Sequence, residues 1–262
     1  MIDTGAARER GPGSLPEDPV TTMPFPARDY LPVLRELTGG FADVLRTADP
    51  AAPVADCGEW TLADLGTHLG NVHRWACSVV TTGESQRQHF RDGPGADLAS
   101  WYASGAQRLL DTLEAANPED RCWHFAGTAK TAAFWYRRQV HETAVHLADA
   151  HTAAGTPVTL DPAVAADGVD EVFTAMLPRV TRWYAPPPLA APIALRATDT
   201  GDVWTLHPGE PPVLGPATEP AATAEATAQD LLLHLWKRTA TPPRVTGAES
   251  VARAFLDAPF TP

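Results

Sequence analysis

Residues 60–83 read WTLADLGTHLGNVHRWACSVVTTG, and the first few of them write the start of a helix. Thr61 followed three residues later by Asp64 is a capping-box pattern, and Trp60 just before the cap can pack on Leu65 as a hydrophobic staple. Leu62, Leu65, Leu69, Val72, Ala76 and Val79 then recur at helical spacing, a stripe that ends near Gly83. Three other stretches obey the same rule. Leu31, Leu34, Leu37, Phe41, Val44 and Leu45 predict a helix over about 27–47. Leu98, Trp101, Leu109, Leu110 and Leu113 predict one over about 96–116, and a fourth spans about 131–154 before Gly155, a natural C-cap. Four helices of about 20 residues each joined by loops predict a four-helix bundle. The loops exceed the shortest up-down connections, so the spatial order of the helices stays open.

The composition changes near residue 155. A further helix is predicted from Pro162 to Tyr184, followed by a Pro-rich break over 185–192. Alternating runs at 192–198 and 202–207, separated by Asp199-Thr200-Gly201, predict a β-hairpin, and 221–227 can add a strand. Helices are expected at 228–237 and 248–256. The expected organisation is an N-terminal extension (1–25), Pro- and Gly-rich and disordered, a helical bundle (26–156) and a small α+β domain (157–262).

At 262 residues with 44% hydrophobic and 20% charged content, the chain has the composition of a globular protein. A formal net charge of −12 argues against nucleic acid or an anionic membrane as partner, since both require a basic footprint. No apolar run approaches the roughly 20 residues of a membrane span. The first residues carry no apolar signal core, so a cytoplasmic location is the expectation. Cys57, Cys77 and Cys122 form no CxxC pair, which speaks against a disulfide framework or a zinc ribbon. Cys57 could act as a thiol nucleophile, although a buried or incidental cysteine is the commoner case.

The fourth helix carries Glu142 and His146 four residues apart. An i, i+4 pair projects from one face and can close on one ion, and His68 on an earlier helix is the obvious third ligand. Two ligands from one helix and one from a facing helix make an economical divalent metal site in a bundle core, with a coordination position left open. The motif is not the zincin HExxH. His141 and His146 are five residues apart, about 140° of helical rotation, so they diverge. Periodicity alone assigns the face with Trp135, Arg138, Glu142, His146 and Asp149 to solvent, with Tyr136, Val140, Thr143, Ala144 and Leu147 as core. Spacing does not choose between solvent and metal.

The run from Trp60 to Leu69 followed by His73-Arg74-Trp75-Ala76 resembles the metal-helix signature of the mycothiol-dependent maleylpyruvate isomerase family, within the DinB-like bundle superfamily. The run from Arg137 to His146 is similar to that family's second signature, and Ala228 to Arg238 to its C-terminal domain; the resemblance spans about residues 26–258. It implies a DinB-like four-helix bundle followed by a small α+β C-terminal domain. It also implies a divalent metal, zinc first among zinc, nickel and iron, on His68, Glu142 and His146, with mycothiol as thiol cosubstrate. The polar face of the fourth helix would then line an interior cavity, with a metal-bound thiol as nucleophile. Where the family usually carries a Trp-Gly-Arg-like run, this chain has Trp236-Lys237-Arg238. Arg238 matches the position expected to face the cavity and hold a carboxylate; a surface arginine at a helix C-terminus is the competing reading. Arg138 is a second arginine for an anionic cofactor or substrate. His73 and His141 border the expected site as proton shuttles, and Asp149 is expected to be a helix-face acid rather than an orienting partner.

The function expected from these residues is that of a metalloenzyme, monomer or homodimer, that activates a small thiol. It adds or transfers that thiol to an electrophilic organic substrate, as an S-transferase or cis–trans isomerase in detoxification or secondary metabolism. A non-catalytic metal or small-molecule binding protein on the same bundle is the alternative, and a helical regulator without metal a third.

Overall fold

The structure, a computed structural model, describes residues 25–86, 93–95, 97–180, 182, 184–238 and 242–261. Most of the expected N-terminal extension, and the expected helix start at Ala96, lie outside the described residues. A 3₁₀ turn (Ala27–Asp29) leads into α1 (Tyr30–Thr47), succeeded by α2 (Leu62–Thr82), α3 (Leu98–Ala115) and α4 (Ala133–Ala153). These are the four helices of the bundle. In α2 the expected capping box is formed: Thr61 Oγ1 accepts from Asp64 N, and Asp64 Oδ2 accepts from Thr61 N at 2.9 Å. Gly83 closes the helix at φ +70°, a left-handed C-cap that costs a residue without Cβ little. Trp60 makes a ring contact with His68, centroids 4.9 Å apart.

Helices α2 and α3 approach closely because Gly70 has no side chain. A Cβ there would stand 2.2 Å from Trp101 Cζ3. The Arg74 guanidinium covers the outer face of the same indole at 3.7 Å and donates to Gly70 O and Trp101 O. Gly70→Ala is therefore expected to lower stability by about 1–3 kcal/mol through overpacking, seen as a lower denaturant midpoint with unchanged slope.

The second half departs from the sequence expectation in detail. The helix expected at 162–184 is α5 (Pro162–Glu171), a π-helical turn (Val172–Met176) and a short α6 (Leu177–Val180). The Asp161 side chain caps α5, and Pro162 occupies its first turn, where no N–H is needed. The hairpin pairs β1 (Ile193–Ala197) with β2 (Val203–His207), antiparallel, and β4 (Ala222–Ala226) lies parallel to β1. Two short strands absent from the sequence expectation complete the sheet, β3 (Val213–Leu214) and β5 (Arg244–Gly247), in the order β3-β2-β1-β4-β5. Helix α7 (Ala228–Leu235) comes after β4, buries Leu231, Leu232 and Leu235 and packs against α5; α8 (Glu249–Leu256) comes after β5.

Helix α7 ends in a tight C-cap. Lys237 N–H donates to His234 O and Arg238 N–H to Leu233 O, the two bonds of a Schellman motif. That motif requires a left-handed residue, and Lys237 supplies it at φ +59°. This is the position where the family-like run would carry glycine. A lysine here costs about 1–2 kcal/mol of backbone strain. Its ammonium is held by the Leu256 carbonyl and lies 5.1 Å from the centre of the Phe260 ring, contacts that offset part of that cost.

Candidate metal centre

Helix α4 is buried on nearly every side. From Ala133 to Ala150, only Phe134 and Glu142 retain intermediate exposure. The face that periodicity assigns to solvent is covered, because the loop at Cys57, the π turn at Met176 and the end of α7 close over it. They enclose a cavity of about 480 Å³ that Trp60, Trp75, Phe125, Trp135 and Trp236 line as its aromatic walls. On the polar side, Arg138, Glu142, His146 and Arg238 face the same space.

The structure brings His68, Glu142 and His146 together. One potential ligand atom from each lies within 4.8 Å of the others. Glu142 Oε1 is 3.4 Å from His146 Nε2 and 3.7 Å from His68 Nε2. A tetrahedral ion with bonds of about 2.0–2.1 Å separates its ligands by about 3.3 Å, so the trio fits a zinc-like cation with small adjustments. The donor chemistry fits as well, with two imidazole nitrogens and one carboxylate oxygen beside an open cavity.

Two of the three candidate ligands, His146 and Glu142, have an evident support. His146 Nδ1 lies 2.9 Å from Asp149 Oδ2; the carboxylate can only accept, which fixes Nδ1–H as donor and turns Nε2 toward Glu142. Asp149, expected to be a helix-face acid, is instead buried and orients the ring. Its other oxygen accepts from Arg238 Nε at 2.9 Å. Glu142 uses its second oxygen to accept from Arg138 Nη2 at 2.7 Å, and Arg138 Nη1 binds Glu171 Oε2 at the end of α5. Arg138 thus holds a carboxylate of the site in place and is not an open anion receptor.

Burial opposes ionisation of Glu142, but Arg138, His146 and His68 outweigh it and hold its carboxyl well below the usual range. Burial likewise disfavours the His146 cation, yet the Asp149 and Glu142 carboxylates raise its pKa to about 9. A divalent cation held at Nε2 would take the place of that proton. Asp149→Asn is expected to weaken divalent metal binding about 10–100-fold, measured by competition with a chromogenic chelator. An unchanged affinity would remove Asp149 from the support of the site.

The other expected residues fare differently. Arg238 reaches the cavity: Nε is on Asp149, Nη1 donates to Trp236 O at 2.8 Å, and Nη2 lies 3.5 Å from Cys57 Sγ. His73 and His141 do not line the cavity. His73 is fully buried with Nε2 3.2 Å from Thr143 Oγ1, and burial lowers its pKa to about 3, so it stays neutral. His141, also fully buried, turns toward α5, where Nε2 is 2.8 Å from Asp167 Oδ2. The role of proton shuttle expected for these two histidines has no direct access to the cavity. Cys57 does line it, but burial and the nearby Asp149 carboxylate push its thiol up to about 11, the wrong direction for a nucleophile.

Four long helices, a His/Glu/His trio on α2 and α4, and a C-terminal sheet segment whose α7 end closes the cavity define a helical-bundle protein with an appended α+β unit. Residues 32–151 of the chain match the model of the family described as mycothiol maleylpyruvate isomerase N-terminal domain. Two crystal structures of mycothiol-dependent maleylpyruvate isomerase, one of them of a histidine-to-alanine mutant, share the fold beyond that segment. They match with TM-scores of 0.61 (the mutant) and 0.60, at 13% and 11% identity, over 85% of this chain and 93% of theirs. No curated protein matches in sequence. Among the described residues no helix is long and apolar enough to cross a membrane.

Proposed function

We propose that this protein is a metal-dependent enzyme that activates a low-molecular-weight thiol, mycothiol, and adds or transfers it to an electrophilic small molecule. The observation that carries this is the convergence of His68 Nε2, Glu142 Oε1 and His146 Nε2 on the wall of an aromatic cavity. The match of residues 32–151 to the mycothiol maleylpyruvate isomerase N-terminal domain supports the choice of thiol. His68, Glu142 and His146 would hold a divalent ion, zinc by preference for this donor set. When bound, such an ion lowers the pKa of a thiol so that the thiolate is available at neutral pH.

The residues of this chain then do the rest. Asp149 fixes the His146 tautomer and Arg138 engages one Glu142 oxygen, which would leave His146 Nε2 and the other Glu142 oxygen for an ion. Arg238, pinned by Asp149 and the Trp236 carbonyl, presents its remaining donor edge to an anionic group of thiol or substrate. The indole walls exclude water that would compete with the thiol. Reversible addition of the thiol sulfur to a conjugated double bond forms one C–S bond. Rotation about the resulting single bond and loss of the same sulfur give cis–trans isomerisation. With a leaving group on the carbon, the C–S bond persists and the outcome is S-transfer. We place the metal-binding unit at 26–156 and the α+β unit at 157–262, in a monomer or homodimer.

A mycothiol-consumption assay with a model electrophile, run beside elemental analysis, tests the proposal. About one equivalent of divalent metal is expected, with thiol turnover abolished by a chelator and restored by zinc. Stoichiometric metal with no thiol turnover would favour the non-catalytic binding protein; absence of metal would overturn both.

A further inference from the structure

Helix α5 does not run straight into α6, because the π-helical turn Val172–Met176 separates them. A π turn takes up one residue more than an α turn, and such turns are frequent at functional sites. The extra residue changes which side chains share a face. Glu171 and Arg179 are eight positions apart, and in an unbroken α-helix they would diverge by about 80°. With one residue absorbed by the π turn, eight positions act as seven, and the divergence falls to about 20°. Glu171 faces α4, where it binds Arg138. The π turn therefore brings Arg179 round to the α4 side as well, and Met176 and Arg179 both line the cavity.

Three arginines line this cavity in a chain of net charge −12. Arg138 bridges Glu142 and Glu171, and Arg238 holds Asp149. Arg179 is partly exposed and lays its guanidinium on the Phe125 ring, 4.0 Å from the ring centre. Stacking uses the face of a guanidinium and fixes the plane of its N–H fork. Burial lowers the pKa of Arg179, as do the neighbouring charges of Arg138 and Arg182, against the opposing pull of Glu142. A guanidinium keeps its proton all the same, so positive charge is concentrated at this end of the cavity, a setting that favours an anion. Arg238 engages Asp149, and Arg179 stands close enough to Arg138 to feel its charge. Those two partners are eleven residues apart on α4, about 16 Å along its axis, with Glu142 and His146 between them. An anion at Arg179 is thus distinct from one at Arg238.

We propose that Arg179 is a specificity-determining residue. Its fork receives a carboxylate, or a similar planar oxyanion, of the acceptor substrate, at the opposite end of the His68/Glu142/His146 trio from Arg238. This rests on the thiol-enzyme proposal for what happens to the substrate, but not for whether it binds.

Monomethyl fumarate and dimethyl fumarate test it. Both offer a thiol the same conjugated double bond, and only the first is an anion. In the full chain with zinc and mycothiol, Arg179→Gln is expected to lower kcat/KM for the monoester about 10–100-fold, mainly through KM, and for the diester less than about threefold. Arg179→Lys, which keeps the charge but not the fork, is expected to recover part of the loss. Equal losses on both esters, with a lower thermal midpoint, would make Arg179 a structural support for the loop carrying Phe125 and overturn the proposal. A monoester advantage lost in Arg238→Gln but kept in Arg179→Gln would overturn it in favour of Arg238. Binding is read separately by NMR titration with the unreactive monomethyl and dimethyl succinates, without thiol. Monoester binding that weakens in Arg179→Gln, with or without a chelator, supports the proposal; binding lost to the chelator and indifferent to Arg179 would put the carboxylate on the metal and overturn it. Arg179-dependent monoester binding in a protein that turns over no thiol would sink the enzyme proposal alone. Thiol turnover with no Arg179-dependent preference would sink this one alone.

Discussion

His146→Ala is expected to leave the purified protein with less than about a tenth of its divalent metal and to lower thiol turnover by about 100-fold or more. The loss exceeds that for a supporting residue because the variant removes a ligand itself. It also strips Asp149 of the imidazole N–H that it accepts and Glu142 of its neighbour at 3.4 Å. His68→Ala is expected to act in the same way from the facing helix. It serves as the cleaner variant, because His68 is only partly buried and its removal leaves the α4 network in place. Elemental analysis of both, with circular dichroism to verify the fold, decides the matter. Retention of a full equivalent of metal by both would remove the trio from consideration as ligands.

Asp167→Ala is expected to cost about 3–5 kcal/mol of stability without touching the cavity. Asp167 on α5 is a buried carboxylate that accepts from Tyr30 Oη at 2.7 Å and Arg137 Nε at 2.9 Å, and lies against His141 Nε2. It therefore joins α1, α4 and α5 at one point, and its loss leaves the buried Arg137 guanidinium with Asp170 as its remaining salt bridge among the described residues. Burial alone would raise the Asp167 pKa, but His141, Arg137 and Tyr30 outweigh it and hold it at about 2. A depressed folded-state pKa stabilises the fold above the ordinary carboxylate range, and the contribution disappears as pH falls through about 2. The shift from 3.8 to about 2 corresponds to about 2 kcal/mol at neutral pH. Denaturant melts of the parent chain and Asp167→Asn should accordingly differ most above pH 4 and converge toward pH 2. A gap independent of pH would place the stabilisation in packing instead of charge.

Much of the bundle is legible in the sequence because its signals are local. The Thr61/Asp64 box, the apolar stripe from Leu62 to Val79 and the Gly83 stop each depend on neighbours within a turn. The 199–201 turn does the same for the hairpin. What escapes is whatever depends on coverage. Periodicity reads the Glu142 face of α4 as solvated, since a polar stripe looks the same whether water or a cavity lies beyond it; the residues that cover it, from Cys57 to Trp236 and Arg238, are distant in sequence. The orienting role of Asp149 escapes for the same reason. Asp167 and Glu171 raise no expectation, although a signal exists. Two carboxylates four residues apart on an Ala/Val-rich helix, with Arg137 and Arg138 adjacent on another, are complementary sets that can be buried only together. The strands Val213–Leu214 and Arg244–Gly247 are too short, and too rich in polar residues and flanking prolines, for alternation to reveal them. The π turn at Val172–Met176 has no sequence mark that separates it from ordinary helix.

Asp149 divides its two oxygens between a potential metal ligand and an arginine at the mouth of the cavity. Whatever draws on His146 through Nε2 changes how strongly Nδ1–H pulls on that carboxylate, and an anion arriving at Arg238 pulls on it from the other side. Two occupants at these points are thus linked through a single shared acceptor, and thermodynamic reciprocity makes the effect of the first on the affinity of the second equal to the converse. The order of loading is immaterial to the final state. The energy of cooperation resides in one aspartate that neither occupant touches.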